Sequence, residues 1–397
     1  MIYVNQYIFI LGREKEISSA ELCSILGGKN LTFLDHLNIA IYESNDLSED
    51  LINKLGGTIK IAKIEKVINS SNIESAKEYI KETIQKNHLE RTKINFGISV
   101  YGVNVNYQKI NKLGFEIKKE LKTKFNLRFI QSKNVELNAA TIINNKLVKS
   151  NNYEIILISN NKELLVAKTL QIQNINDYAK RDFNRPYRDS KVGMLPPKLA
   201  QIIINLALFK SKNQKDLTIL DPFCGTGVIL QEAKLMGFNT IGSDIDQRMV
   251  EYTKNNLIWL DTWLKTTKQT SHQIIQGDSR NLTWPKFNLI ASEIFLGSPL
   301  PINPSLNQVE EVKSEITLLL KQFLLNLYHQ IDKSVKISLA IPVWNIKNNT
   351  LIFIPIIDQL KNLGYNLISF DKIDPKDLVY IRPGQVVGRQ LILLEKE

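Results

Sequence analysis

Asp221, Gly225 and Gly227 fall within seven residues of one another in ILDPFCGTGVILQEA (219–233), a stretch that reads as a strand, a sharp turn and a helix. Glycines on such a turn let bare backbone approach a ligand and adopt positive φ. A dinucleotide site asks for a third glycine, where this chain has Leu230, and a Walker loop asks for Gly-Lys-Ser/Thr, where it has Gly-Val-Ile. Both phosphate ligands are therefore disfavoured. An adenosyl ligand without phosphates needs fewer backbone amides and more carboxylates. Asp221 can accept from an ammonium, Asp244 from two ribose hydroxyls and Asp278 from an adenine amino group, each such charged hydrogen bond contributing roughly 1.5–3 kcal/mol. Taken singly, each acid reads equally well as a solvated strand end or a helix N-cap, and Asp246 can cap the following helix in place of Asp244. Three acids on successive strand ends beside one glycine turn point to S-adenosyl-L-methionine, with Pro222, Phe223, Ile245 and Ser279 as flanking residues of the same pocket.

Those positions require a sheet whose strand tips meet at one edge. From residue 196 onward the chain alternates strands (LTIL, NTIGSD, HQIIQGD, FNLIASE, KISLAIPV, YNLISF) with helices (VILQEAKLMG, QRMVEYTKNNLIWL, VEEVKSEITLLLKQFLLNLYHQI, PIIDQLKNLG), and RQLILLEK closes it. This alternation predicts a doubly wound parallel sheet with ligands at the carboxyl ends of its strands. Residues 1–172 read instead as one or two small α+β units. Ser18 and Glu21 have capping-box spacing ahead of AELCSIL. LSEDLINKLGG reads as a short helix. KINKLGFEIKKELKTKF reads as a helix that buries Ile110, Leu113, Ile117 and Leu121 and turns Lys118, Lys119 and Lys122 outward, with Gly114 as its one weak position.

The 397 residues carry a net charge of +11. Between Lys81 and Lys149 there are fourteen Lys or Arg against five Asp or Glu, a surplus of nine that holds most of the excess. A local surplus of this size points to a polyanion, usually nucleic acid, or else to a lysine-rich solvated surface. No apolar run approaches the ~20 residues that cross a bilayer, and the N-terminus reads as a strand, not a signal peptide. The expectation is a cytoplasmic protein with no membrane association. Cys23 and Cys224 read as free thiols of a reducing compartment, Cys224 as a packing residue. His36, His88, His272 and His329 show no metal-ligand spacing. Trp259, Trp263, Trp284 and Trp344 receive no role.

Three blocks carry a resemblance to a known family. DPFCGTG followed by GSDID is similar to the methyltransferase domain of RNA and DNA amino-methylating enzymes. RDFNRPYRDSKVGMLPPKLAQIIINLA resembles the THUMP-containing tRNA guanine-N2 methyltransferases of the position-ten type, and YIFILGREKEISSAEL is similar to that family's N-terminal domain. The resemblance implies an α/β fold: a Rossmann-like class I methyltransferase sheet over 196–397, preceded by an α+β region. That region divides into a ferredoxin-like domain over 1–60 and a THUMP RNA-binding domain over 61–172, with a linker over 173–195. It implies tRNA as partner. Eukaryotic relatives of the family use a small activating subunit, and the sequence is equally compatible with a monomer.

A guanine exocyclic amine is a poor nucleophile, so the chemistry asks for an acceptor that pulls on its N–H groups and an aromatic ring that holds the base. The family places Asp or Asn, two prolines, then Tyr or Phe after the fourth strand. Here the residues are Ser292-Glu293-Ile294-Phe295-Leu296-Gly297, with both prolines absent. One frame makes Ser292 the acceptor and Phe295 the platform, while another makes Glu293 the acceptor. We take Glu293 with Phe295. Arg181, Arg185 and Arg188 in the linker read either as phosphate ligands or as partners of Asp182 and Asp189. Gly193, Met194 and Pro196 read either as the methionine end of the pocket or as the start of a helix. Two other functions stay open: a catalytically silent relative that binds S-adenosylmethionine and tRNA, and an adenine-N6 DNA methyltransferase.

Overall fold

Ile- and Leu-rich runs, most of them buried along much of their length, make the strands of two sheets. The computed structural model describes residues 4–34, 36–149, 151–189, 194–211, 215–264, 270–346 and 350–397. The chain divides into two units, one of residues 1–13, 29–53 and 58–175, the other of 14–28, 54–57 and 176–397. The opening strand β1 (Asn5–Leu11) belongs to the first and the helix that follows, α1 (Lys15–Leu26), to the second.

The first unit holds one eight-stranded sheet. Its remaining strands are β2 (Leu31–Leu34), β3 (Ile39–Ser44), β4 (Thr58–Ile68), β5 (Lys93–Tyr101), β6 (Asn126–Phe129), β7 (Tyr153–Asn160) and β8 (Glu163–Ile172), in the order β2-β3-β1-β4-β8-β7-β5-β6. β1 pairs directly with β4, so a single sheet runs through the boundary expected at residue 60. Helices α2 (Lys77–Asn87) and α3 (Tyr107–Leu121) pack Ile80, Ile84, Ile110, Leu113, Ile117 and Leu121 on it, and a short α4 (Ala139–Asn144) follows. Gly114 is explained by this packing: a Cβ there would stand 2.2 Å from Cε2 of Phe129.

Beneath β4 and β7 lies a buried polar network. Lys60 Nζ donates to Glu154 Oε1 (2.6 Å) and to the Leu137 carbonyl (2.7 Å), while Ser99 and Thr169 hydroxyls donate to the two Glu154 oxygens at 2.6 Å each. Burial makes each partner depend on the other.

The second unit holds α1, then α5 (Ile175–Phe183), α6 (Pro197–Ala207), α7 (Val228–Met236), α8 (Gln247–Leu264) and α9 (Leu306–Tyr328). Its strands are β9 (Thr218–Asp221), β10 (Asn239–Asp244), β11 (His272–Gln276), β12 (Leu289–Glu293), β13 (Lys336–Ile346), β14 (Thr350–Phe353), β15 (Tyr365–Leu367), β16 (Val379–Tyr380) and β17 (Val387–Lys396). The main order is β11-β10-β9-β12-β13-β17-β15. β9 to β13 are mutually parallel, as expected, but β17 runs antiparallel between β13 and β15, so the sheet is mixed. The order reverses between β9 and β12, and ligands of such sheets bind at that switch point.

Three expected elements differ. Ser18 and Glu21 lie inside α1, which begins at Lys15, and form no capping box. Ser18 donates to the Glu14 carbonyl. Glu21 accepts from Gly56 N–H and Gly57 N–H (both 2.8 Å) and from Asn205 Nδ2 (2.6 Å), and burial pushes its carboxyl up to about 7. LINK (51–54) forms one 3₁₀ turn in place of a helix, with the Ile52 N–H held by Gln171 Oε1. PIIDQLKNLG forms two 3₁₀ turns in place of a helix, with Ile356 and Leu360 in the core.

Among the described residues, no helix is long and apolar enough to cross a membrane. Glu154→Ala leaves Lys60 without its buried counter-charge and should destabilise the chain by about 3–5 kcal/mol. The measurement is the urea midpoint, and an unmoved midpoint would show that the pair contributes nothing.

Candidate active site

The tips of β9, β10 and β12 and the turns beyond them enclose a cavity of about 530 Å³. The turn after β9 is held from three sides. Gly225 N–H donates to Asp244 Oδ2 at 2.9 Å, Cys224 N–H to the Ser243 carbonyl at 2.9 Å, and Thr253 Oγ1 to the Gly225 carbonyl at 2.7 Å. Gly225 (φ 51°) and Gly227 (φ 81°) take left-handed conformations that favour glycine. A Cβ built at Gly225 would have no heavy atom within 4 Å, so bare backbone faces open space there.

Asp221 is only 2% exposed and accepts from Phe223 N–H and from Ser292 Oγ (2.5 Å). Burial pushes its carboxyl up to about 7. Asp244 accepts from Gly225 and Asp246 N–H, yet burial still raises its pKa. The Asp246 carboxylate takes Arg248 N–H at the start of α8, the capping position expected of it. Asp278 borders the cavity, but Arg280 grips its carboxylate through Nε (2.9 Å to each oxygen) and Nη2 (2.5 Å), which lowers its pKa. An adenine amino group would therefore share this carboxylate with Arg280. Pro222, Phe223, Ile245 and Ser279 all border the cavity, Ile245 with most of its side chain exposed. The Ser279 carbonyl accepts from Asn326 Nδ2 of α9.

The acceptor loop differs from expectation. Ser292 is fully buried and does not reach the cavity, because its hydroxyl lies beneath Asp221. Glu293 borders the cavity, but its Oε1 accepts from Nε of Arg389 on β17 at 2.7 Å, in a pair with little exposure. Only the second oxygen remains for another partner. Phe295 borders the cavity with 41% of its surface exposed.

Two of the linker arginines that could read as phosphate ligands are buried. Arg181 is buried and pairs with Glu232 of α7 at 2.7 Å, stacking over Tyr178. Arg185 is 3% exposed, and burial lowers its pKa. Neither guanidinium faces solvent, which speaks against phosphate contacts by either. Met194 accepts from Arg188 Nη2 through its sulfur, Pro196 starts α6, and Gly193 lies outside the described residues. On α3 of the first unit, Lys119 and Lys122 are exposed and Lys118 partly so. Glu116 and Glu120 are engaged by Lys77 and Lys81, and no ion pair to another described residue involves Lys118, Lys119 or Lys122.

Sequence reasoning missed the wall that α9 gives the cavity, formed by Glu315, Leu318, Leu319 and Gln322. It also missed that Trp259 and Trp263, four residues apart on α8, stack at 5.9 Å. The i, i+4 spacing is a signal that was available.

A family profile described as DNA methylase (N6_N4_Mtase) matches residues 36–255. The chain is 36% identical over 126 residues to the tRNA (guanine(10)-N2)-dimethyltransferase of Methanothermobacter thermautotrophicus, covering 32% of this chain and 34% of that protein. It is 39% identical over 99 residues to the protein of that name from Methanocaldococcus jannaschii, covering 24% and 27%. The matches thus span about a third or less of these curated relatives. The crystal structure of TrmN from Thermus thermophilus superposes over 100% of both chains with a TM-score of 0.53 at 13% identity, a likeness of fold.

A proton held by folded Asp221 and lost from the unfolded chain stabilises the fold. That contribution is complete below the ordinary value of 3.8 and disappears as pH rises to about 7. Asp221→Asn should flatten this loss and raise the melting temperature at pH 8, as read by thermal melts from pH 4 to 8. An unaltered profile would mean that Asp221 ionises freely.

Proposed function

We propose an RNA substrate for this chain, which belongs to the N6_N4_Mtase family described as DNA methylase: it transfers a methyl group from S-adenosyl-L-methionine to the exocyclic N2 of a guanine in tRNA. The observation that carries this reading is the meeting of Asp221, Asp244 and Asp278 with the bare Gly225 backbone in one cavity. The names of the curated relatives support the choice of base and of RNA.

The residues present fit the cofactor. Asp244 keeps lone pairs beyond those used by two backbone donors, which suits ribose hydroxyls. The exposed Ile245 beside it offers an apolar face to a base. Buried Asp221 gains from any cation placed against it, because a positive neighbour offsets its desolvation. When bound, the cofactor supplies an electrophilic methyl group on a sulfonium. The rest is positioning: Phe295 stacks on the guanine, and the walls exclude water from the reacting amine.

In this reading the first unit carries the ferredoxin-like and THUMP roles and grips RNA through the outward lysines of α3. The engagement of Glu293 by Arg389 favours a second reading, a silent relative that binds both ligands without transfer.

Incubation with methyl-labelled S-adenosylmethionine and total tRNA, DNA or no nucleic acid separates the readings. Label should appear on tRNA, as N2-methylated guanosine by mass spectrometry. Label on DNA would support an adenine-N6 enzyme, and binding without label the silent relative. Asp244→Ala should weaken S-adenosylmethionine binding roughly 10- to 100-fold in calorimetry, because charged hydrogen bonds to the ligand disappear, with tRNA affinity unchanged. An unchanged ligand affinity would remove Asp244 from the site. Charge reversal at Lys118, Lys119 and Lys122 should lower tRNA affinity and reduce the slope of log K against log salt by about 0.7–0.9 for each phosphate no longer neutralised. A constant slope would make this face ordinary solvated surface.

A further inference from the structure

Of the acceptor loop's two oxygen-bearing side chains, one is out of reach and the other is shared. Ser292 is buried under Asp221, and Glu293 is neutralised by Arg389. A carboxylate on the opposite wall answers the need. Glu315, Leu318, Leu319 and Gln322 follow the i, i+3, i+4, i+7 spacing, so one face of α9 is turned to the cavity. A neighbouring face, with Val309, Ile316, Leu320 and Phe323, is packed in the core.

Glu315 lies at the acceptor end of that wall. A Cβ at Gly297 would stand 2.3 Å from Val312 Cγ1 and 3.0 Å from Ile316 Cδ1, so the helical turn that carries Glu315 lies against the loop that carries Phe295. At the other end Asn326 holds the Ser279 and Leu282 carbonyls, beside Asp278. Glu315 is exposed, and no ion pair to another described residue involves it. The nearby Lys313 is engaged by Glu310 at 2.6 Å.

Resting on the methyltransferase reading above, we propose that Glu315 is the residue that reads guanine, accepting from N1–H and N2–H of the base whose ring stacks on Phe295. Among the four RNA bases, guanine alone presents two adjacent donors on its Watson–Crick edge. Adenine and cytosine each offer a donor beside an acceptor, and uracil offers one donor between two acceptors. A carboxylate has two acceptor oxygens and no donor, so it matches guanine and repels the acceptor nitrogens of adenine and cytosine. The hydrogen bonds lie in the plane of the base, which leaves the face of N2 free to attack the methyl carbon as its bond to sulfur breaks. Glu293, tied to Arg389, then serves to hold the loop.

The test uses the full chain with unmodified tRNA transcripts, carrying either guanosine or 2-aminopurine at the nucleotide that mass spectrometry identifies as the target. 2-Aminopurine keeps the N2 amine and replaces the N1 donor by an acceptor. The wild type should strongly prefer guanosine. Glu315→Gln should lower kcat/KM on guanosine roughly 10- to 100-fold, the discrimination expected of a paired hydrogen-bond contact to a base. It should also narrow or invert the preference, because an amide can donate to N1 of 2-aminopurine and accept from N2–H. S-Adenosylmethionine affinity by calorimetry should stay within about twofold of wild type. The fluorescence of 2-aminopurine reports base entry without turnover, and Glu315→Gln should bind that transcript more tightly than wild type. If Glu315→Gln keeps the wild-type rate and preference, the proposal is overturned. A preference that follows Glu293→Gln instead assigns the reading to Glu293 and also overturns it. If the wild type methylates neither transcript nor total tRNA, the methyltransferase reading itself falls and takes this one with it.

Discussion

One hydrogen bond, from Gly225 N–H to Asp244 Oδ2, couples the turn after β9 to the tip of β10, and the geometry of the cavity depends on it. A carboxylate that accepts from a turn amide cannot be fully hydrated, and the turn that donates to it runs through a left-handed conformation. Gly225 adopts it at φ 51°. The arrangement leaves Asp244 partly desolvated and Asp221 almost completely so, with their proton affinities raised by burial. Burying such groups is costly, and for Asp221 the Ser292 hydroxyl offsets that cost only in part. The resting fold therefore holds an unfavourable electrostatic condition that a sulfonium- or ammonium-bearing ligand relieves.

The apolar layer beneath explains why this condition persists. Leu220, Ile290, Ile337 and Leu339 are buried on neighbouring strands and continue into the packed face of α9. Trp284 closes the layer and donates from Nε1 to Ser243 Oγ, adjacent to the strand tip that bears Asp244. Opening the site to hydrate Asp221 would expose this layer, and each fully buried aliphatic side chain contributes about 1.5–3 kcal/mol. Burial accordingly raises the proton affinity of Asp221.

The local pattern was legible where periodicity or a short motif carried it. Strand alternation located β9 to β13, the glycine turn located the switch point, and acids at strand ends located the cavity. Contacts between distant segments were not legible. Arg181 has Asp182 beside it in sequence, yet its partner is Glu232, 51 residues away on α7. Ser18 and Glu21 have the spacing of a cap, but the helix starts earlier because Glu21 is needed at Gly56, Gly57 and Asn205. The amphipathic pattern of α9 marks which face is buried. It cannot say that the polar face borders a cavity, since Glu315 and Gln322 look like any solvated residues of an exposed stripe. Arg389 was hidden by the reversal of β17, whose antiparallel course no local pattern announces.

An acceptor loop without prolines must be held by other means. A pyrrolidine ring fixes φ and so limits the conformations open to a chain. SEIFLG has no such ring, and two other restraints take its place. The Arg389–Glu293 pair holds the start of the loop to β17 with a charged hydrogen bond of 2.7 Å. Gly297, at φ 89°, then lets the chain turn so closely against Val312 and Ile316 that no side chain would fit. Between these two points lie Ile294, buried in the core, and Phe295, left at the cavity. A carboxylate used as a clamp is a weaker acceptor, since its charge is shared with a guanidinium. If Glu315 reads the base as proposed, the acceptor stands not on this loop but on the helix packed against Gly297.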